Sequence, residues 1–288
     1  MNLWDKNQEK LFFDYYKNDV DLKTLFNESD DGRYLAYWPN DYKGKKSTLQ
    51  ARNSLIGNYT ENFVSDLFES LMGDRYHVLN QVQIPEIGIS QKSPADIVIA
   101  TANKKILKAS DVKLICEVKM SLVWNWEYDV KNSQITEIGD YRTHRGKPSF
   151  TRSDSILKAI GKCIDIRVSS NKASKIPLIV LGNAPLSNGF CKKADYLKNA
   201  GIIQGFWSIN PFPLNHGNTR KASSNNGFIR FDNVGQLNTS LDKLFNEELN
   251  FFSGMENPTQ LGKLIEIANR EDNYDKKGLS FLNLLRRN

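Results

Sequence analysis

The chain has 288 residues, of which 40% are hydrophobic and 11% aromatic, with 39 Lys and Arg against 33 Asp and Glu. That length and that apolar content exclude a disordered or fibrous chain, and they allow one large domain or two modest ones. The net charge of +6 favours a polyanionic partner such as nucleic acid without establishing one.

Three cysteines lie far apart in apolar stretches, at positions Cys116, Cys163 and Cys191. Because this spacing matches no zinc-ligand pattern, we interpret them as core residues of a protein in a reducing compartment. The first residues contain no apolar signal-peptide core, and no apolar run reaches the length that spans a bilayer. We therefore expect a soluble cytoplasmic protein with no membrane partner.

The hydrophobic pattern divides the chain into three parts. Residues 1–53 are predicted to form an N-terminal extension of helix and loop, and residues 210–288 a C-terminal elaboration rich in polar turns and helices. Between them, residues 54–209 show the alternation of helices and strands that is typical of an α/β protein. The predicted elements of this central part are a helix over 59–73, strands near 76–84, 96–101 and 112–120, a helix over 153–169, a strand over 176–181, a helix over 188–200 and a strand near 202–209.

The sequence also predicts where some of these elements end and which of their residues are buried. Asn58 is expected to cap helix 59–73 and Gly73 to end it. The continuous apolar run over 176–181 suits a parallel strand covered by helices. The stretch 121–151 shows no clear periodicity. The residues expected to face the core from helix 153–169 are Ile156, Leu157, Ile160, Ile164 and Val168. In the C-terminal part we expect a strand over 228–231 and helices over 236–252 and 258–270.

A pair of carboxylates and a lysine stand out on two of the predicted strands. Side chains alternate between the two faces of a strand, so Glu117 and Lys119 project from the same face. Asp96 begins the apolar run that follows Pro94 and Ala95, which places its carboxylate at the rim of a sheet. Aspartate and glutamate supply the hard oxygen ligands that Mg²⁺ prefers, and a neighbouring lysine can hold a water or a phosphate oxygen. An exposed ion pair on a strand is the competing interpretation of Glu117 and Lys119.

The order Pro94-x-Asp96, twenty intervening residues, then Glu117-x-Lys119 resembles the PD-(D/E)xK nuclease superfamily, which includes most type II restriction endonucleases. The resemblance covers roughly residues 54–209, and it departs from the family pattern where Ala95 separates the proline from the aspartate. It implies a restriction-endonuclease-like core, a three-layer α/β/α sandwich on a mixed β-sheet, here with helical N- and C-terminal elaborations. It also implies that Asp96, Glu117 and the backbone carbonyl of Val118 bind Mg²⁺, while Lys119 holds the attacking water or stabilises the charge that develops on the phosphoryl oxygens.

Two further polar positions are open to two interpretations each. In the resembled family, a glutamate from the preceding helix often completes the metal site, which makes Glu61 a candidate catalytic residue. Glu61 also stands three residues after Asn58 and could instead complete a helix cap. Gln81 and Gln83 could orient the attacking water or a phosphate, or they could be ordinary exposed strand residues.

Basic residues outside the motif are candidates for contact with DNA. The segment from Tyr141 to Arg152 is basic and follows the catalytic strand, so its cations could lie along the DNA backbone or form a basic surface loop. Lys158 and Lys162 are four residues apart, which fits either phosphate contact or the solvated face of a helix. The predicted DNA-binding residues are Arg142, Arg145, Lys147, Arg152, Lys158, Arg220 and Lys221.

These observations favour a type II restriction endonuclease that hydrolyses phosphodiester bonds in duplex DNA at a short specific sequence, alongside a cognate DNA methyltransferase that protects host DNA. Two alternatives remain: a structure- or damage-specific nuclease with the same chemistry, and a non-catalytic DNA-binding module. A palindromic site favours a homodimer. The apolar residues that could form its interface, or equally close a monomeric subdomain, are Leu241, Leu244, Phe245, Leu249, Leu261, Leu264 and Ile265.

Overall fold

The computed structural model describes residues 2–247, 249 and 258–285. The helices in these ranges are α1 Lys6–Tyr16, α2 Leu22–Leu25, α3 Gln50–Met72, α4 Ser153–Ser169, α5 Asn188–Asn199, α6 Val234–Asn246, α7 Pro258–Ala268 and α8 Tyr274–Leu285. The strands are β1 Asn27–Glu28, β2 Tyr34–Leu35, β3 His77–Val82, β4 Ala95–Ala100, β5 Val112–Lys119, β6 Asn125–Asp129, β7 Gln134–Gly139, β8 Leu178–Gly182, β9 Gly205–Ser208 and β10 Phe228–Arg230. Across the described ranges, no helix is both long and apolar enough to cross a membrane.

The main sheet is mixed, with the strand order β10-β9-β8-β5-β4-β3. Strands β3, β4 and β5 are antiparallel, whereas β5, β8, β9 and β10 run parallel. Every residue of β8 is buried, as its continuous apolar run predicts for a parallel strand with neighbours on both sides. Helices α3 and α4 both pack against β5, which lies inside the sheet. The predicted α/β class with a mixed sheet is confirmed.

A second, smaller sheet was not predicted. It has the order β1-β2-β6-β7, and its β6–β7 hairpin lies in the stretch 121–151 that shows no clear periodicity. The hairpin is hard to see in the sequence because few of its residues alternate cleanly in burial. Because β2 pairs with β6, the small sheet joins the N-terminal extension to the central part of the chain. Helix α3 also runs across the predicted boundary between residues 53 and 54.

A buried carboxylate helps to hold the N-terminal segment in place. Glu9, on α1, accepts hydrogen bonds from the main-chain N–H groups of Val123 and Trp124 and from the indole Nε1 of Trp126, at 2.5, 3.1 and 3.1 Å. Burial raises the pKa of Glu9 to about 8, although each of these donors acts in the opposite direction. Glu9 therefore links α1 to the beginning of β6.

Helix α3 begins nine residues earlier than predicted, at Gln50, and Asn58 is an exposed residue inside it. Asn58 is therefore not the N-cap, and Glu61 lies in the middle of the helix. The early turns escape a hydrophobicity pattern because their buried face carries Arg52 and Thr60 beside Ile56. The Thr60 hydroxyl donates to the main-chain carbonyl of Ile56 at 2.8 Å, which allows a polar side chain to be buried there.

Helix α4 buries a different face from the one predicted. Leu157, Ile164 and Val168 are 55%, 39% and 57% exposed, whereas Ala159 and Cys163 are buried. The predicted stripe selected the largest apolar residues, but a helix can approach a sheet closely where its residues are small. Ile156 is buried and Ile160 packs against the core, so part of the prediction is correct; Ile166, which was not predicted, is buried as well.

The C-terminal part combines a sheet strand with separate helices. Strand β10 extends the main sheet, and Leu237, Leu241 and Leu244 of α6 belong to the same core cluster as the sheet residues. Helix α6 ends at Asn246, and most of the remainder of predicted helix 236–252 lies outside the described residues. Helix α7 matches its prediction closely. Helix α8 was not predicted, and it packs against α7.

Candidate active site

The two motif carboxylates lie side by side on adjacent antiparallel strands. Ile97 pairs with Cys116, so one step along the same ladder places Asp96 of β4 opposite Glu117 of β5. The main-chain N–H of Val118 donates to Asp96 Oδ2 at 2.9 Å and fixes the orientation of that carboxylate. Both side chains are mostly buried, at 13% and 8% exposed. This pairing creates a concentrated negative charge at the end of two central strands.

Lys119 projects from the same face as Glu117, as the strand period predicts. Its Nζ lies 2.5 Å from Glu117 Oε1, 3.2 Å from the carbonyl oxygen of Val118 and 3.8 Å from Asp96 Oδ2. Three oxygen atoms from three residues therefore converge on one cationic group. At this degree of burial the contact is more than a solvated surface ion pair, which is the competing interpretation.

A second lysine reaches the same carboxylates from α4. Lys162 Nζ lies 3.0 Å from Asp96 Oδ1 and 2.5 Å from Glu117 Oε2. Burial lowers the pKa of Lys162, but the Glu117 and Asp96 carboxylates raise it by more, so its net pKa lies above the ordinary value. The sequence alone allows either phosphate contact or the solvated face of a helix for Lys162, and the structure instead places it against the two carboxylates. The signal in the sequence was its position next to Cys163, on the small-residue face that packs on the sheet.

Glu61 and Gln81 form a further pair beside these four residues. Gln81 Nε2 donates to Glu61 Oε2 at 2.9 Å. Burial raises the pKa of Glu61, and the neighbouring charge of Asp96 raises it further. Because Asn58 lies inside α3, the alternative interpretation of Glu61 as part of a helix cap is wrong. Gln83 contributes instead to a main-chain bridge with Ile106.

The backbone of Gln81 explains how its side chain reaches Glu61. Its φ of 55° lies in the left-handed region, which residues other than glycine seldom adopt. The ladder between β3 and β4 pairs Asn80 with Ile97 and then Val82 with Ala95 in an unbroken register, so Gln81 lies opposite Asp96 at the step between them. A residue with this backbone conformation interrupts the regular alternation of side chains along a strand without changing the register of the pairing.

The donor set fits the chemistry of a hard divalent cation. Asp96, Glu117 and the Val118 carbonyl supply oxygen only, and all three already surround the ammonium of Lys119. Within the described part of the chain, no group of three or more His, Cys, Asp or Glu side chains is placed to hold a metal ion by itself. A cation at this site would therefore depend on the Val118 carbonyl together with the two carboxylates.

The basic segment after the small sheet is joined to the end of β5. The Ser149 hydroxyl donates to the main-chain carbonyl of Lys119, and the Ser149 N–H donates to Ser121 Oγ at 2.9 Å. Arg145 and Lys147 are exposed just before this attachment, and Arg152 follows it with an ion pair to Asp154 at 2.6 Å. The structure thus brings three of the predicted DNA-binding residues to the neighbourhood of the strand that carries Glu117 and Lys119.

Other residues of the segment have internal partners. Arg142 pairs with Asp140 at 2.8 Å and also donates to the main-chain carbonyl of His216 at 2.9 Å. His144 is buried and stacks on the Tyr37 ring with 4.4 Å between ring centroids. Burial lowers the pKa of His144 to about 4, so this histidine is neutral at pH 7.

The remaining predicted DNA-binding residues lie elsewhere. Lys158 is exposed on α4. Lys221 pairs with Asp232 at 2.5 Å, and Arg220 approaches Asn188 at the start of α5 at 3.4 Å. Both flank β10, which β8 and β9 separate from β5 in the main sheet.

Comparison of the chain with protein-family models, with curated proteins and with solved structures found no match. The arrangement of the described residues is therefore the basis of the functional proposal.

Proposed function

We propose that this protein is a Mg²⁺-dependent endonuclease that hydrolyses phosphodiester bonds in duplex DNA at a short specific sequence. The observation that carries the proposal is the convergence of Asp96, Glu117 and the Val118 carbonyl on the ammonium of Lys119. The resemblance to PD-(D/E)xK nucleases implies this arrangement, in which oxygen donors and a lysine lie at the ends of two adjacent strands of the sheet. The mixed sheet, with α3 and α4 packed against it, supports a restriction-endonuclease-like core.

The proposed roles follow from which atoms face the site. Asp96, Glu117 and the carbonyl of Val118 would hold the metal. Bound Mg²⁺ neutralises charge on a phosphate and lowers the pKa of a coordinated water. Lys119 lies close enough to the carboxylates to hold a water or to donate to a phosphoryl oxygen as negative charge develops there.

The residues around the two carboxylates orient the groups of the proposed site. Lys162 donates to one oxygen of each carboxylate, so it fixes the orientation of both. Glu61, held by Gln81, adds a third carboxylate on the side of α3, where it can accept a hydrogen bond from a water. Positioning and electrostatic stabilisation account for most of the catalysis in phosphoryl transfer, so groups that only orient the reacting atoms matter for the rate.

The exposed cations Arg145, Lys147 and Arg152 are proposed to contact the phosphate backbone of duplex DNA, since they are attached to the end of β5. A sequence-specific enzyme of this kind also implies a cognate methyltransferase that protects the host. The proposed homodimer would place one site on each strand of a palindrome. Leu241 and Leu244 are buried in the core of this chain, which leaves the α7 residues Leu261 and Ile265 as the exposed part of the predicted interface.

The test is incubation of the purified protein with a long unmethylated duplex and Mg²⁺. Discrete fragments support sequence-specific cleavage. A smear, or preferential cleavage of branched or damaged DNA, favours the structure-specific alternative with the same chemistry, and intact DNA that is bound but never cut indicates the non-catalytic module. Glu117→Ala protein, purified in the same way, controls for contaminating nucleases. Excess EDTA should stop cleavage, and Ca²⁺ should permit binding without cutting, because it tolerates looser coordination.

A further inference from the structure

A second pocket lies between the beginning of α3 and the basic segment, apart from the carboxylate cluster. It has a volume of about 460 Å³. Its wall includes Ser47 and Thr48 before α3, and Tyr37 and Trp38 after β2. The indole Nε1 of Trp38 donates to the carbonyl of Ser47 at 3.0 Å, and Ser47 Oγ donates to Asn27 Oδ1 at 3.0 Å, so the wall is held by hydrogen bonds.

The charge of this pocket has one sign. Five of the residues that line it are cationic and none of them is acidic. Arg152 is the one cation of this set with a carboxylate partner, Asp154, among the described contacts. A concave surface lined by one sign of charge attracts counter-ions strongly. The cationic residues are Lys46, Arg52, Arg145, Lys147 and Arg152.

The pocket also receives the N-terminus of a long helix. Helix α3 has 23 residues, and its N-cap, Leu49, makes no side-chain capping hydrogen bond. The first N–H groups of an α-helix have no partner within the helix, and the helix dipole places partial positive charge there. Leu49, Arg52 and Asn53 all line the pocket. An anion in the pocket would accept hydrogen bonds from the main-chain N–H groups at the beginning of α3, which no side chain of the N-cap residue caps.

Arg52 provides the independent evidence for a ligand. Its side chain is almost entirely buried, at 3% exposed, and its Nη1 donates to the main-chain carbonyls of Leu25, at 3.0 Å, and Ala36. The guanidinium also lies over the Tyr37 ring, 4.7 Å from the centroid. Its Nε has no hydrogen-bond partner among the described residues. Arg52 is therefore a buried cation that lines the pocket and whose direct contacts are carbonyls and a ring, with no carboxylate partner among the described residues, and an anion in the pocket would compensate its charge.

We propose that this pocket binds a phosphate group. Phosphate matches its features because it offers several acceptor oxygens, whereas arginine and helix N–H groups offer several donors. The volume is enough for a phosphate that carries a sugar or a base, and the aromatic side chains of Tyr37 and Trp38 can contact such a substituent. The phosphate comes either from a DNA strand or from a free nucleotide or phosphate ion, and this site is distinct from the carboxylate centre.

The test uses an isosteric change in charge at the pocket. Asn53→Asp places a carboxylate in the pocket, while an acidic residue in the first turn of a helix is itself favourable for stability. The matched control is Asn58→Asp, the same change at an exposed position of α3 outside the pocket. Without any anion, Asn53→Asp should melt at or above the wild-type temperature and Asn58→Asp close to it. Lys147→Gln is a second variant at the rim, where no core packing is disturbed.

Two measurements identify the phosphate and its source. Melting temperature is followed against inorganic phosphate and nucleoside monophosphate at constant ionic strength, and duplex DNA affinity is followed by anisotropy in EDTA. The site is supported if Asn53→Asp, relative to Asn58→Asp, raises about tenfold or more the phosphate concentration needed to increase the melting temperature, or weakens duplex affinity by the same factor. Lys147→Gln should change the same quantity in the same direction. Loss in duplex affinity identifies DNA as the source; loss confined to the small anions identifies a free phosphate.

The inference is overturned if Asn53→Asp and Asn58→Asp respond alike to every anion and to duplex DNA. None of these measurements requires metal or cleavage, so their failure is distinguishable from failure of the nuclease proposal, which Glu117→Ala tests.

Discussion

Lys162 Nζ lies 3.0 Å from Asp96 Oδ1, although 66 residues separate the two in the chain. The same ammonium contacts Glu117 at 2.5 Å, and Lys119 contacts Glu117 from the other side at 2.5 Å. Two carboxylates are therefore held between two lysines of different origin, one on the motif strand and one on a helix. The two lysines lie on different elements and contact different oxygen atoms of the carboxylates, so their functions can be separated by mutation.

Substitution of the motif residues tests the catalytic assignment. Asp96→Ala, Glu117→Ala and Lys119→Ala should each lower the single-turnover cleavage rate by at least about 10²-fold, the usual cost of removing one group that stabilises a transition state. Duplex affinity should change far less, because the basic segment remains intact. Lys243→Ala, at an exposed position of α6, is the control and should cleave normally. A Lys119→Ala enzyme that cuts at nearly the wild-type rate would show the assignment to be wrong.

Lys162 is expected to act by positioning the carboxylates. Lys162→Met should lower the cleavage rate by about 10- to 100-fold, the range found when partners that orient metal ligands are removed. Lys162→Arg, which keeps the charge, should recover part of this loss. The measurement is the cleavage rate as a function of Mg²⁺ concentration, since a positioning residue alters the metal dependence as well as the maximum rate. Unchanged rate and unchanged metal dependence in Lys162→Met would contradict this function.

Gln81 should show opposite effects on stability and activity. Glycine accepts a φ of 55° without strain, so Gln81→Gly should leave the free energy of unfolding unchanged or raise it by about 1 kcal/mol. The same change removes the hydrogen bond to Glu61 and should lower the cleavage rate. Ser133→Gly, at another exposed residue with positive φ and away from the site, should have the same effect on stability and none on cleavage. Chemical denaturation and cleavage assays on both variants decide this; full activity in Gln81→Gly would show that its contact with Glu61 has no catalytic function.

His144 makes a specific contribution to the pH dependence of stability. Burial lowers its pKa to about 4, from about 6.5 in the unfolded chain, and its buried Nδ1 has no hydrogen-bond partner in the described ranges to accept a second proton. The unfolded state therefore binds more protons, and stability is lost as the pH falls from about 6.5 to about 4. The contribution over that window is about 3 kcal/mol. Urea denaturation between pH 4 and pH 7 should show a steeper loss for wild type than for His144→Phe, which keeps an aromatic ring against Tyr37; identical slopes would refute the assignment.

The homodimer can be tested on α7. Leu261 and Ile265 are 36% and 50% exposed, so Ile265→Glu should not disturb the core but should disrupt an apolar interface between two copies. Sedimentation with and without DNA should show a dimer for wild type and a monomer for the variant. Phe212→Glu, at an exposed apolar residue elsewhere on the surface, is the control. One subunit per cleaved duplex at every protein concentration would exclude the dimer.

Local pattern was enough to predict the strands that carry the motif. Asp96, Glu117 and Lys119 lie where the period of a strand places them, because side-chain alternation depends only on the backbone of the strand itself. The buried parallel strand β8 was predicted for a related reason, since a strand with neighbours on both sides has no polar face to display. These features depend on residues that are close together in the chain.

The tertiary structure decided the features that depend on distant segments. Lys162 faces the carboxylates only because α4 turns its small residues toward the sheet, and hydrophobicity alone favoured a face with Leu157 and Val168. Gln81 reaches Glu61 from a residue with left-handed backbone, a local conformation that the period of the strand does not encode. Arg52 is buried although its charge predicts exposure, because its partners are carbonyls from a different part of the chain. Where the partner of a polar group is remote in sequence, its burial can be recognised only once the chain has folded around it.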